Sequence, residues 1–426
     1  MKEVIVPLKD DGTRFIVDGL YVDQKEIVAE VMGKIQEWLD CSDFMTFEPL
    51  RLTLSGPGGC GKSVFIKTVV TVMRIMFEIN EVVKVVAPTG ASAFNAGGET
   101  FHHLLGNKVT TSQYRPLSMS SEKRKSQIKK FKVLLALIID ERSLASSKEM
   151  DTAETMIKET IYEGRGIRDL SWGGLPVVIL IGDDYQLPSI TTGAFDVLEK
   201  PTSEKRAKLG TMVIAGQDAF KECAQAVMYL QTNRRMSDSQ IKERKLIEKI
   251  RVADPLDDPE VSRLMRLHIN NFKSKFGKQA AEDIKKKSLF LFYKNSQRVE
   301  HNVRMLKEVS TVQNPVAMVH LQTWGALTGK ADRRHFDRSD DPPPSAMLCI
   351  GAWVCIQGRN FQPEWGLYNG SAGIVKDFQF EKGKNPNHGD LPLYVLVEFP
   401  SYCGPPWDTK NPKVNGICKR YGHSIT

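Results

Sequence analysis

Short apolar runs recur along the first part of the chain, at Leu50–Leu54, Val82–Ala87, Val133–Ile139 and Val177–Ile181. Turn residues and then a helical stretch follow each run. Runs this short and this continuously apolar suit strands covered on both faces, so they predict a doubly wound α/β domain with helices on either side of a parallel sheet. In such sheets ligands collect beyond the carboxyl ends of the strands. A second set, Ala226–Leu230, Leu289–Tyr293, Trp353–Ile356 and Leu393–Phe399, predicts another α/β unit from a weaker pattern. Three segments read as loops or insertions. Thr110–Lys130 is polar and basic, with Lys123, Arg124, Lys125, Lys129 and Lys130. Asp332–Pro344 is charged and ends in three prolines, and Glu381–Asp390 is a polar turn rich in Gly, Pro and Asn.

Composition narrows the classes. A length of 426 residues is too great for one ordinary core and implies two or three domains. Fifty-nine Lys and Arg against 51 Asp and Glu leave a net charge of +8, which permits a polyanionic partner without requiring one. The 7 cysteines, Cys41, Cys60, Cys223, Cys349, Cys355, Cys403 and Cys418, are scattered and form no C-x-x-C pair. They read as reduced thiols of an intracellular protein, not as a disulfide frame or a zinc site. No apolar run approaches the roughly 18 residues that a membrane span needs, so a soluble protein is expected.

The chemistry concentrates after the first run. Leu52-Thr53-Leu54-Ser55-Gly56-Pro57-Gly58-Gly59-Cys60-Gly61-Lys62-Ser63 is a strand, a glycine loop and a helix start, the pattern of a phosphate-binding loop. Gly56, Gly58, Gly59 and Gly61 let consecutive backbone N–H groups curl around phosphates. Lys62 reaches the outer phosphates and the Ser63 hydroxyl binds magnesium. A nucleoside triphosphate with Mg2+ is therefore the expected ligand, and the loop alone would serve a kinase, a small GTPase or a motor. Downstream, Val133–Ile139 ends in Asp140 and Glu141, where Asp140 suits the magnesium shell and Glu141 suits orienting or deprotonating the attacking water. Val177–Ile181 runs into Gly182-Asp183-Asp184-Tyr185-Gln186-Leu187-Pro188, where Gln186 suits sensing the γ-phosphate or positioning water.

In this order the pieces resemble the Pif-one helicases, the RecD-related branch of helicase superfamily one. Gln24 in Tyr21-Val22-Asp23-Gln24 stands in the position of the family's adenine-reading glutamine. Ala87-Pro88-Thr89-Gly90 through Gly98-Glu99-Thr100-Phe101-His102 resembles its single-strand contact motif. Asp140-Glu141-Arg142-Ser143 and Trp172-Gly173-Gly174 through Pro188 fit the next two motifs. Leu230-Gln231-Thr232-Asn233-Arg234-Arg235 resembles the motif whose arginine reaches across a cleft to the γ-phosphate, with Arg235 favoured by spacing and Arg234 its close competitor. Leu289–Asn302 and Leu348–Gly373 resemble motifs of the second motor domain.

The resemblance implies two RecA-like domains with parallel sheets, residues 1–215 and a partial second one at 216–378, then the start of a small β-barrel-like insertion at 379–426. It makes the expected triphosphate ATP and implies an ATP-dependent DNA helicase moving five-prime to three-prime in repair, recombination, replication or telomere maintenance. Single-stranded DNA and DNA junctions or forks are the implied partners. The chain is expected to be monomeric and nuclear, with the mitochondrion as the alternative. In this picture the first domain supplies Gln24, Lys62, Ser63, Asp140, Glu141 and Gln186, and the second supplies Arg235. Thr89, Gly90, Thr100 and His102 in the first domain, and Asn302, Asn369 and Gly370 in the second, are the implied DNA contacts. Thr100 and His102 equally suit a helix cap, and Asn369-Gly370 a hairpin turn. Lys123–Lys130 reads either as support for a strand-separating wedge or as a solvated loop. The family's final motif, a histidine, a lysine and a Ser-Gln-Gly turn, has no counterpart after Trp407. A fragment, or a truncated relic that binds nucleotide and single strand without unwinding, is thus the alternative to an intact helicase.

Overall fold

The computed structural model describes residues 5–7, 14–16, 20–105, 122–165, 170–187, 210–266, 268–320, 345–356, 361–384, 390–405 and 424–425. Residues 110–121 and 385–389, all of Asp332–Pro344, Pro188 and Trp407 lie outside the described residues. The chain divides into two compact units, Met1–Pro255 and Leu256–Thr426.

In the first unit a short antiparallel pair, β1 (Ile5–Pro7) and β2 (Arg14–Ile16), precedes the main sheet. That sheet holds β3 (Leu50–Ser55), β4 (Val83–Ala87), β5 (Glu99–Thr100), β6 (Ala136–Ile139), β7 (Val177–Gly182) and β8 (Ala226–Tyr229). All six pair in parallel, in the order β5-β4-β6-β7-β3-β8. The helices are α1 (Val22–Asp40), α2 (Lys62–Phe77), α3 (Gly90–Ala96), α4 (Phe101–Leu105), α5 (Glu122–Phe131), α6 (Ser147–Arg165), α7 (Thr211–Glu222) and α8 (Ile241–Arg251).

Every residue of β3, β6 and β7 is buried, which is why β6 and β7 read as continuous apolar runs. Successive side chains leave opposite faces of a strand. Leu52, Leu54, Ile138, Ile179 and Ile181 accordingly join Ile27, Val31 and Ile35 of α1 and Phe65, Ile66 and Val69 of α2 in one core. Leu137, Ile139, Val178 and Leu180 join Met150, Ala153, Ile157 and Ile161 of α6 in the other. Each fully buried aliphatic side chain contributes about 1.5–3 kcal/mol, so the central strands are the best-anchored part of the unit. Two of the three polar residues of β3 bond to backbone carbonyls. Arg51 donates to the carbonyls of Leu175 (2.9 Å) and Ser171 (3.1 Å), and Thr53 Oγ1 donates to that of Cys223 (3.0 Å).

Two features of this unit differ from the expectation. Ala226–Tyr229 belongs to the first sheet, because it pairs in parallel with β3 from Leu52↔Ala226 to Ser55↔Tyr229. The first unit therefore runs to Pro255, past the expected boundary at 215. The basic segment 122–131 is helical, not a loop. The Arg124 side chain is buried, donating to Glu163 at 2.7 and 3.2 Å and to Thr160 at 3.0 Å.

The second unit carries α9 (Asp258–Arg266), α10 (Ile269–Phe276), α11 (Lys278–Lys287) and α12 (Asn295–Val309). β9 (Ala317–His320) pairs antiparallel with β10 (Ser345–Leu348). β11 (Trp353–Cys355), β12 (Ala372–Gln379), β13 (Tyr394–Glu398) and β14 (Ser424–Ile425) form an antiparallel sheet in that order. Its core is Leu367, Val375, Val397 and Phe399. The β structure expected from residue 379 onward thus begins at Trp353, since Ile374 on β12 pairs with Glu398 on β13. Among the described residues this unit has no parallel pair. Leu289–Tyr293, expected as a strand, is not one, and Leu289, Leu291 and Tyr293 are strongly exposed. An apolar run signals a demand for burial, and a strand also requires a neighbour to take its backbone hydrogen bonds.

Candidate nucleotide and DNA site

The phosphate loop leaves β3 at the carboxyl edge of the sheet and enters α2 at Lys62. Its shape depends on two glycines in the left-handed region. Gly59 has φ 88°, and a Cβ there would lie 2.8 Å from Arg235 Cβ and 2.9 Å from Asn233 Oδ1. Gly61, the N-cap of α2, has φ 93°, and a Cβ there would collide with Gln24 Nε2. The Gly56 N–H donates to Gly182 O at 3.1 Å, and Gly58 O accepts from Asn233 Nδ2 at 3.1 Å. Lys62 Nζ donates to the carbonyls of Gly56 (2.6 Å) and Pro57 (3.1 Å), which holds the ammonium at the mouth of the loop. Ser63 is exposed in the first turn of α2, where helix N–H groups and the helix dipole favour an anion.

Gln24 is buried in the first turn of α1. Its Oε1 accepts from the Tyr21 N–H (3.2 Å) and its Nε2 donates to Gly61 O (3.2 Å), so the amide fastens α1 to the phosphate loop.

The ends of β6 and β7 carry one acid pair each. Asp140 is buried, and burial raises its carboxyl to about 6. A bond from the Glu141 N–H (2.9 Å) opposes that rise, the Glu141 charge adds to it, and the Lys62 charge opposes it. Glu141 adopts φ 50°, and its Oε2 is buried without a hydrogen-bond partner. Asp183 behaves in the opposite way. Burial would raise it, yet bonds from Arg251 (2.7 Å) and the Tyr185 N–H (3.1 Å), with the Lys62 charge, hold it below its ordinary value. Asp184 accepts from Arg142 Nη1 (2.6 Å) and Ser55 Oγ (3.2 Å), and Arg142 Nη2 also donates to Ser55 Oγ (2.6 Å). Gln186 is exposed on the turn that follows, its N–H donating to Asp183 O at 3.1 Å.

Arg234 and Arg235 were expected from a second domain. Both lie in the first unit, against the phosphate loop, because β8 extends the same sheet. The Arg234 N–H donates to Gly59 O at 2.8 Å. Its guanidinium sits 3.1 Å from the centre of the Tyr21 ring and 3.0 and 3.3 Å from the two Asp23 carboxylate oxygens. The Arg235 N–H donates to Asn233 Oδ1 (3.0 Å) and its side chain is exposed. Beside these residues lies a cavity of about 520 Å3 lined by Tyr21, Asp23, Glu26, Tyr229, Gln231 and Arg234, among others.

Thr89, Gly90 and Thr100 come together at the carboxyl ends of β4 and β5, where Ala87 pairs with Thr100. Thr89 caps α3, accepting from the Ser92 N–H at 3.2 Å, and Gly90 is buried in the first turn. Thr100 is buried and accepts from the His103 N–H at 3.3 Å, a capping bond at the start of α4. His102 lies in α4, and its side chain is outside the described residues. In the second unit Asn302 is exposed on α12. Asn369 and Gly370 are exposed in the turn Tyr368–Ser371 that leads into β12, with Gly370 at φ 96°.

Sequence reasoning did not single out Tyr21, Asp23, Arg142 or Arg251. All four act through partners remote in the chain, and only the adjacency of Arg142 to the acid pair was a usable signal. Among the described residues no helix is long and apolar enough to cross a membrane.

Comparison with known proteins adds three findings. The family model described as PIF1-like helicase matches residues 20–253. Uncharacterized protein 030L of Invertebrate iridescent virus 6 is 27% identical over 345 residues, covering 77% of this chain and 61% of that protein. ATP-dependent DNA helicase Pif1 of Bdellovibrio bacteriovorus is 28% identical over 274 residues, covering 61% of this chain and 55% of that protein. The chain thus spans less than two thirds of the length of either relative. Among solved structures, Pif1 helicases acting at forked double-stranded DNA superpose with TM-score 0.57 at 19% identity, covering 90% of this chain and 75% of that one. The Pif1 helicase from Candida albicans gives 0.54 at 21% identity, covering 89% and 75%. These likenesses establish the fold.

Proposed function

Because the chain belongs to the PIF1-like helicase family, we propose that it is the motor portion of an ATP-dependent DNA helicase that hydrolyses ATP to move along single-stranded DNA and separate duplex at junctions or forks. The carrying observation is that the phosphate loop bearing Lys62, after β3, and the Asp140–Glu141 pair, after β6, leave the same carboxyl edge of one parallel sheet.

The residues fit a nucleotide with Mg2+. Backbone N–H groups and left-handed glycines form a concave anion cradle, and the buried, unpartnered Glu141 Oε2 faces no competing cation in its own hydrogen-bond set. Ser63 and Asp140 are the residues that would hold magnesium, whose charge would neutralise phosphate oxygens. Lys62 draws the outer phosphates into the loop. Glu141 takes the proton of the attacking water. Gln186 aligns that water or senses the γ-phosphate, and Arg235 offers an exposed guanidinium to charge developing there. Gln24 fixes the α1 edge against which the base lies. Thr89, Gly90, Thr100 and His102, with Asn302, Asn369 and Gly370, are assigned to the DNA strand. Their polar and backbone groups suit sequence-independent contact with the sugar-phosphate chain. Movement is five-prime to three-prime, as the resemblance implies.

The competing reading, a relic that binds without cycling, is disfavoured by the retention of Lys62, Asp140 and Glu141 together in the first unit. Measuring ATP hydrolysis with and without a single-stranded oligonucleotide decides between them. Turnover should rise with the oligonucleotide and fall by about 10²-fold or more in Lys62→Ala. Equal turnover in the variant would reject the site.

A further inference from the structure

Arg251 is the last residue of α8, and four residues later, at Pro255, the first unit ends. Its guanidinium is engaged on three sides. Nη2 donates to Asp183 Oδ1 and Nη1 to Glu248 Oε1, both at 2.7 Å, and Cζ lies 4.4 Å from the centre of the Tyr185 ring. Asp183 is in turn the hub of the turn after β7. Its carboxylate also accepts from the Tyr185 N–H and its carbonyl from the Gln186 N–H, each at 3.1 Å. The segment beyond Arg251 is equally defined. The Val252 N–H donates to Glu248 O (3.1 Å), Ala253 takes φ 58°, and the Asp254 N–H donates to Lys249 O (2.9 Å). A left-handed alanine persists only where its surroundings over-determine it.

We propose that Arg251 is a positioning residue that sets the turn bearing Gln186 and joins it mechanically to residues 252–255, through which the chain leaves the first unit. Only a planar fork does this, because one side chain must bridge a carboxylate on the turn, a carboxylate on its own helix and an aromatic face at once. A shift of the turn on nucleotide turnover is then delivered to the exit segment, and a pull on the exit segment to the turn. The inference rests on the assignment of Gln186 to the γ-phosphate made above.

The test is steady-state ATP hydrolysis by the full chain, over a range of ATP concentrations, with and without a single-stranded oligonucleotide. Arg251→Ala should lower the oligonucleotide-stimulated kcat about tenfold while KM for ATP moves less than about twofold, the signature of lost alignment without lost binding. Arg251→Lys keeps the charge beside Asp183 but loses the fork and the stacking, and should fall about threefold. An unchanged kcat in Arg251→Ala, or a change confined to KM, overturns the inference. If Arg251→Ala lacks the native circular dichroism spectrum, Arg251→Lys and Tyr185→Ala carry the test, and unchanged kcat in both overturns it. A wild-type chain without oligonucleotide stimulation sinks the proposed function. A stimulated wild type with indifferent variants sinks the Arg251 inference alone.

Discussion

The carboxyl ends of β6 and β7 are neighbours in one sheet, and each presents two consecutive acids, yet the two pairs have opposite fates. At β7, Asp183 and Asp184 are each bound by an arginine, Arg251 and Arg142. At β6, Asp140 is buried with its carboxyl raised to about 6, and Glu141 leaves Oε2 without a partner. A paired buried acid is structural: its charge is already compensated. An unpaired buried acid costs stability, and such sites mark where chemistry is done. The contrast supports placing the proposed chemistry at the β6 end of the sheet.

The contrast is tested most severely by comparing Glu141→Gln with Asp184→Asn. Glu141→Gln should lower ATP hydrolysis by about 10²–10⁴-fold, the range of general-base catalysis, while equilibrium binding of ATP changes little. Asp184→Asn should keep most turnover, and equal losses in the two variants would erase the distinction.

A smaller effect is expected from Arg142→Ala, which strips Asp184 and Ser55 of their buried partner. Loss of one member of a buried pair costs about 3–5 kcal/mol, which the partial exposure of Asp184 reduces to about 2–3 kcal/mol. Urea unfolding measures it, and a cost below about 0.5 kcal/mol, the ordinary surface value, would show the β7 pair to be unstructured in solution.

The finest test is one of sign. Folded Asp140 keeps its proton to about 6 against an ordinary 3.8, so between these values the folded chain binds more protons than the unfolded one, and stability falls as pH rises. Metal-free Asp140→Asn should therefore be more stable than wild type above pH 6 by about 1–3 kcal/mol, with the gain vanishing below pH 4. Asp183 is held below its ordinary value, so its contribution is present above the ordinary carboxylate range and is lost as pH falls through the lowered one. Asp183→Asn should be less stable than wild type at neutral pH, and the gap should close on acidification. Thermal melting across pH checks both, and shifts of the same sign would break the comparison.

β6 and β7 were legible in the sequence because burial on both faces leaves no polar position to interrupt the run, and β3 and β4 because apolar residues flank Arg51, Thr53 and Lys84 on either side. The phosphate loop was legible because its backbone geometry admits few residues at Gly59 and Gly61. What escaped were relations between distant segments. Ala226–Tyr229 looks like any apolar strand, and only its register with β3 assigns it to the first sheet. The charged segment 122–131 conceals a buried arginine, since Arg124 finds its acid on α6, 39 residues away. Leu289–Tyr293 has a strand's composition, but a strand's partner is not written in its own residues. Arg234 and Arg235 were named, but their side of the site was misjudged for the same reason.

Cys60, inside the phosphate loop, has a further consequence. Its thiol is 1% exposed and burial pushes its ionisation up, while Cys355 and Cys403 lie at the surface. An alkylating reagent meets the surface thiols at once but reaches Cys60 only in the moments when the loop opens. The chain thus carries its own stopwatch, and the pace at which Cys60 is alkylated counts the openings of the loop.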